Sequence, residues 1–301
     1  MARFHERRSI MFTKIIVATD LSAASDRVLA CLPGLKPLGA KSVHLVHALG
    51  LRHLDTLKYE LARFVEPRLL EQKAALEAAG FETSVEIAAG IPEFEVNRIA
   101  RERGASLIAV GSHGATLARE VLIGGVALAI LHRATVPVLV MRLRITEADR
   151  RPQCEAVCAN FTRHILYPTD FSDNAEHAFR YLEAIVKAGA KRVTLLHVQD
   201  KARISKHLEH KLEEFNRIDT ERLERHRDAL RKLGATEVNI ELPYGSPLQE
   251  ILRVARERGV SEIVMGSQGR GFIAETFLGS VSHQVARHAP VPVLFIPAVR
   301  E

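Results

Sequence analysis

The chain repeats itself in order, and this limits its possible folds more than any other feature. Lys14-Ile15-Ile16-Val17-Ala18-Thr19-Asp20 returns 150 residues later as His164-Ile165-Leu166-Tyr167-Pro168-Thr169-Asp170. Gly39-Ala40-Lys41 and the apolar run Val43–His47 return at the same offset as Gly189-Ala190-Lys191 and Val193–His197. Ala100-Arg101-Glu102-Arg103-Gly104 returns as Ala255-Arg256-Glu257-Arg258-Gly259, now 155 residues on, so the second copy holds a few extra residues between His197 and Gly245. Gly111-Ser112-His113-Gly114 returns as Gly266-Ser267-Gln268-Gly269, and Val136-Pro137-Val138-Leu139 as Val291-Pro292-Val293-Leu294. A chain of 301 residues exceeds the usual size of one core. The repeat divides it into an N-terminal tail (1–11), a first domain (12–143), a linker (144–161) and a second domain (162–301).

Within each copy, short apolar runs alternate with amphipathic stretches. Ile15–Ala18, Val43–His47, Ser84–Ala88, Leu107–Val110 and Val138–Met141 read as strands. Their counterparts are Ile165–Tyr167, Val193–Val198, Glu237–Leu242, Glu262–Met265 and Val293–Ile296. Most do not alternate in polarity, as expected for strands covered on both faces. Helical patterns lie between them. Ser22–Leu38 should end or kink at Pro33, Pro92–Arg103 opens on a proline, and Ile204–Leu233 places leucines near helical spacing among many charges. Strand–helix–strand succession implies two α/β domains, each with a five-stranded parallel sheet and helices on both faces. Ligands on such sheets bind beyond the carboxyl ends of the strands, where the strand order reverses.

At that edge the second copy carries Gly266, two residues, Gly269, nine residues, then Gly279-Ser280. Gly266 follows a strand, and successive amides in such a loop can cradle an anion. Ser280 opens an apolar helical stretch, where it can cap the helix and offer a hydroxyl to phosphate. Ser267 and Gln268 add polar groups. Arg270 either meets a terminal phosphate or points into solvent. The same glycines also suit plain turns and caps, and this spacing is neither a Rossmann fingerprint nor a Walker A motif. Asp170 and Asp20 end the first strands. An aspartate there can accept from a ribose or base, help hold a metal, or cap the next helix, for which Ser172 and Ser22 are rival candidates. His197 and His47 read as partly buried strand residues rather than catalysts.

Charge and cysteine content narrow the function classes. Residues 1–150 carry 20 Lys+Arg against 16 Asp+Glu, and residues 151–301 carry 22 against 20. Neither half is a basic nucleic-acid domain. No apolar run approaches the ~20 residues of a membrane span, and the charged N-terminus does not read as a signal peptide. The expectation is a cytoplasmic protein with no nucleic-acid or membrane partner. Three cysteines, Cys31, Cys154 and Cys158, are not a secreted disulfide framework. Cys154 and Cys158 read as free thiols, with a redox pair as the alternative.

Together the Gly-x-x-Gly-x9-Gly-Ser pattern, the strand-end Asp170 and the closing His288-Ala289-Pro290-Val291-Pro292-Val293-Leu294 resemble the universal stress protein family in its tandem form. The resemblance covers roughly 12–142 and 162–298. It implies an adenine nucleotide alpha hydrolase-like, Rossmann-like fold with strand order 3-2-1-4-5. It places adenine around Pro168, Thr169, Asp170 and the backbone of Val198, and ribose near Asp170 and Gly266. Phosphates would follow Gly269 and the Gly279–Ser280 turn. It implies ATP, ADP or AMP as the ligand, in some members with Mg2+ and slow hydrolysis. It also implies pairing of domains, within a chain or as a homodimer, and a role in stress survival. The first copy keeps Asp20, Gly111, Gly114 and Gly124 but has Gly125 for Ser280 and Ala115 for Arg270, so its site is expected to be weak or empty. The leading reading is a nucleotide-binding sensor or stress protein. A slow Mg-dependent ATPase and a structural, partner-binding protein with degenerate pockets are the alternatives. No catalytic base stands out, and a nucleotide-transfer enzyme would need a constellation absent from the sequence.

Overall fold

The computed structural model describes residues 11–50, 55–113, 123–148, 151–156, 160–202, 211–269 and 278–299, and side chains within them except at 55–62, 144–148 and 151–156. It divides into two compact units, Met1–Cys158 and Ala159–Glu301. Among the described residues no helix is long and apolar enough to cross a membrane.

The first unit runs β1 (Lys14–Ala18), α1 (Ala23–Cys31), β2 (Ser42–Ala48), α2 (Asp55–Ala78), β3 (Glu82–Ala88), α3 (Pro92–Glu102), β4 (Leu107–Gly111), α4 (Gly125–Arg133) and β5 (Val138–Met141). Its parallel strands lie in the order β3-β2-β1-β4-β5. Helix α1 stops at Cys31, and the rest of the expected helix is a 3-10 segment, Leu32–Leu38, with Pro33 and Pro37 inside it. Each proline lacks the N–H that would continue an α-helical ladder. Residues 144–161, expected as linker, contain most of an antiparallel hairpin, β6 (Leu143–Ala148) with β7 (Arg151–Ala156). Strand β7 lies against α1. Cys31 is disulfide-bonded. The side chain of Cys154, and Cys158 altogether, fall outside the described residues.

The second unit repeats the plan with β8 (Ile165–Pro168), α5 (Asp173–Lys187), β9 (Arg192–Leu196), β10 (Gln199–Asp200), α6 (Leu212–Lys232), β11 (Glu237–Glu241), β12 (Tyr244–Gly245), α7 (Pro247–Glu257), β13 (Glu262–Gly266), α8 (Ser280–His288) and β14 (Val293–Ile296). Its order is β11-β9-β8-β13-β14, all parallel. Counted within the unit this is again 3-2-1-4-5. Every residue of β8 and β14 is buried, which is why these strands read as unbroken apolar runs. Helix α5 begins at Ser172, whose side chain accepts from Ala175 N–H, and buries Ala178, Phe179, Leu182, Ile185 and Val186 against the sheet. Gly189 then reverses the chain at φ 121°, a backbone that other residues rarely adopt. Helix α6 buries only Leu223 and Leu230 fully. They match Leu69 and Leu76 of α2, an offset of 154, and all four are at most 2% exposed. The small pair β10–β12, joined at Gln199–Tyr244 and Asp200–Gly245, extends the second unit beyond the end of β9.

Candidate functional site

In each unit the turn after the first strand is built by the same bonds. The Thr169 hydroxyl accepts from Phe171 N–H at 3.0 Å, and Asp170 Oδ1 accepts from Ser172 N–H at 3.1 Å. In the first unit Thr19, Leu21, Asp20 and Ser22 do the same at 3.0 and 3.1 Å. Phe171 and Leu21 are held at φ 56° and 64°, a left-handed backbone costing a side-chain-bearing residue roughly 1–2 kcal/mol. That strain, in both copies beside the strand-end aspartate, marks a turn shaped to present the carboxylate. Ser172 and Ser22 are the N-caps of α5 and α1, so neither aspartate caps the following helix.

His197 fixes this turn from the neighbouring strand. Its Nδ1 lies 2.7 Å from the Thr169 carbonyl oxygen, which can only accept, so Nδ1 carries the proton. His47 does the same to Thr19 at 2.9 Å. In the second unit Nε2 of His197 also lies 3.5 Å from Asp219 Oδ2 on α6. The Phe171 ring packs on the His197 ring at 4.6 Å between centroids, and the Arg222 guanidinium lies 5.2 Å from the Phe171 centroid.

The glycine loop opens at the end of β13. Gly279 N–H donates to Ser267 O at 2.8 Å, closing the base of the loop. Ser282 Oγ donates to Gly266 O at 3.0 Å from inside α8. Asn174 Nδ2, buried on α5, donates to Gln268 O at 3.1 Å. At two of the loop's glycines an added side chain would press on neighbouring side chains. A Cβ on Gly269 would sit 2.6 Å from Asp170 Oδ2, and one on Gly266 would sit 2.8 Å from Asn174 Nδ2. Gly279, not Ser280, is the N-cap of α8, and no side chain caps that helix. The expectation that Ser280 caps α8 is therefore corrected: it is the first helical residue. As in any α-helix, the first-turn N–H groups have no partner within the helix.

A cavity of about 520 Å³ opens over these strand ends. It is lined by Pro168, Thr169 and Asp170, by Val198, by Gly266, Gln268 and Gly269, and by Gly279 and Ser280. Nine of the ten site residues expected from sequence thus share one cavity. The tenth, Arg270, lies outside the described residues, as do Gly114 and Ala115 of the first copy. Sequence reasoning missed the far wall, where Phe215, Ile218, Asp219 and Arg222 of α6 face the cavity across from Pro247 and Ile251 of α7. The spacing of those four α6 residues is one helical face. The helix was legible from its apolar spacing, but nothing in its pattern said that this face lines a hollow.

The chemistry changes across three neighbouring strand ends, β9, β8 and β13 in that order, about 10 Å apart in all. Beyond β9 the cavity lining includes the apolar Leu196, Val198, Phe215 and Ile218, with the polar His197, Gln199, Asp200, Asp219 and Arg222 beside them. Beyond β8 stands the Asp170 carboxylate. Beyond β13 lie the glycine loop and the first turn of α8, whose amides and helix dipole favour an anion. Among the described residues no group of three His, Cys, Asp or Glu side chains is placed to hold a metal ion.

In the first unit the corresponding aspartate is engaged differently. Asp20 Oδ1 also accepts from the hydroxyls of Ser22 and Ser25, at 2.5 and 2.6 Å. Ala175, without a hydroxyl, stands in the place of Ser25. Val65 corresponds to Asp219, and Ala24 to Asn174.

Comparison with known proteins bears on both units. The model of the universal stress protein family matches residues 11–142 and 162–297. Universal stress protein MJ0577 of Methanocaldococcus jannaschii is 34% identical over 153 residues, covering 44% of this chain and 94% of that protein. Universal stress protein YxiE of Bacillus subtilis is 33% identical over 143 residues, covering 44% of this chain and 97% of its own length. The crystal structure of a universal stress protein from Archaeoglobus fulgidus superposes with a TM-score of 0.73 at 28% identity, covering 94% of this chain and 98% of that one.

Proposed function

Because this chain belongs to the universal stress protein family, with both halves matched, we propose that its second half binds an adenine nucleotide and that its first half is a weakened copy. The observation that carries the reading is the order of surfaces over β9, β8 and β13. An apolar slot suits a flat base, the Asp170 carboxylate suits ribose hydroxyls, and the loop and α8 N-terminus suit phosphates. That order follows the covalent order of a nucleotide. If Mg2+ accompanies the nucleotide, Asp170 would help hold it and the ion would supply charge neutralisation of the phosphates. Binding, as in a sensor or stress-survival factor, is what these features support.

Calorimetric titration with ATP, ADP and AMP tests the proposal and ranks the three. The expected stoichiometry is one nucleotide per chain, because the first unit has Gly125 for Ser280 and ties Asp20 to two serine hydroxyls. Two sites of equal affinity would overturn the weakened-copy reading. Ser280→Ala removes a hydroxyl facing phosphate, and a hydrogen bond to a charged group is worth about 1.5–3 kcal/mol. The variant should bind roughly ten- to a hundredfold more weakly, with little change in melting temperature because Ser280 is exposed. If none of the three nucleotides binds or raises the melting temperature, the structural, partner-binding reading replaces this one.

A further inference from the structure

We propose that Asp219, on the α6 wall of the cavity, reads the ligand's base by accepting from its exocyclic amino group. This rests on the nucleotide reading above and deepens it, assigning base choice to a side chain that only the second unit possesses. Asp219 lines the cavity on the apolar, β9 side, one helical turn from Phe215 and beside Ile218, where a base would lie. Its side chain there is only 14% exposed. Gln199 Nε2 donates to Asp219 Oδ2 at 3.3 Å. Arg222 Nη1 stands 4.0 Å from Oδ1, and His197 Nε2 stands 3.5 Å from Oδ2. The Gln199 bond takes one of the carboxylate's roughly four acceptor positions and leaves the others for a ligand.

An ionised carboxylate can only accept. At the base edge it favours a ring edge bearing N–H groups and opposes one bearing only acceptors, because two acceptors facing each other form no bond and repel. The 6-amino group of adenine is such a donor. The position is not required for folding of this element, since α2 carries Val65 at the corresponding place.

The test is a cycle between protein and ligand. Calorimetry compares AMP with purine riboside 5′-monophosphate, which lacks only the 6-amino group, on the full-length chain, on Asp219→Val and on Asp219→Asn. Wild type should prefer AMP by about tenfold. Asp219→Val should bring the ratio close to one, and Asp219→Asn should bring it to a few-fold. A merely structural role for Asp219 would weaken both ligands alike and leave the ratio where it was, which overturns the proposal. A wild-type ratio near one overturns it as well. Failure of wild type to bind either ligand defeats the nucleotide reading itself and is told apart by that. Should the valine variant unfold, the asparagine ratio decides.

Discussion

Gly269→Ala is expected to weaken nucleotide binding about ten- to a hundredfold, while changing the melting temperature by no more than about 2 °C. The reason is contact, not backbone freedom. A methyl group at this position would stand 2.6 Å from Asp170 Oδ2, well inside van der Waals distance, and the carboxylate must move. Asp170 is held by Ser172 N–H at 3.1 Å, so moving it disturbs the turn that aims it. Gly279 belongs to the same motif, but a methyl there would meet its nearest neighbour, Gln268 Cα, at 3.4 Å. Gly279→Ala should therefore lose only a few-fold. Gly266→Ala should fall between them, since its methyl would press on Asn174 Nδ2 at 2.8 Å and loosen that residue's bond to Gln268 O. Because Gly269→Ala acts through Asp170, its effect should nearly vanish in an Asp170→Ala background. Equal losses for all three glycines, or full additivity with Asp170→Ala, would show that the carboxylate is not the target.

The same contacts show what a single sequence can carry. All ten sheet strands were legible to within two residues at every end; apart from β3 and β11, which are mostly not buried, they left the apolar runs of strands covered on both faces. The strand order came from family resemblance and not from the runs. The glycine loop was legible because its spacing, taken with Asp170 and the closing His288–Leu294 segment, resembles the family pattern; the spacing alone also suits turns and caps. The hairpin β6–β7 was not, since it has little of the apolar signal that marked the sheet strands. The pair β10–β12, two residues on each side, is too short for any period. Asn174 and Gln268 are 94 residues apart, and Gln199 and Asp219 are 20 apart. Each such pair depends on where the fold brings two chain segments together, which neither residue announces. The cap of α8 fell to Gly279 rather than Ser280, although serine ranks above glycine at that position. The shift leaves the serine hydroxyl at the cavity.

Glu262→Leu is expected to stabilise the second unit, and more so as pH rises. Glu262 opens β13 opposite Ile165 and is 1% exposed. Its Oε2 has no hydrogen-bond partner among the described residues. Burial pushes its carboxyl well above the ordinary carboxylate range, so the folded unit holds it protonated where the unfolded chain would release the proton. The unfolded state therefore binds fewer protons, and stability declines as pH climbs from the unfolded value toward the raised folded one. Below the unfolded value the penalty is only that of a polar atom buried without a partner, about 1–3 kcal/mol. Leu107 occupies the corresponding place in β4 and is fully buried, so the fold accepts leucine at this position. Calorimetry at pH 5 and pH 8 should show the melting transition of the second unit raised by several degrees, about 2–4 °C for each kcal/mol, with the larger gain at pH 8. Glu262→Gln separates the two contributions: it should abolish the pH dependence while keeping most of the burial penalty. A lower melting point for Glu262→Leu, or a gain that does not change with pH, would mean that the carboxyl is satisfied and charged in the folded protein.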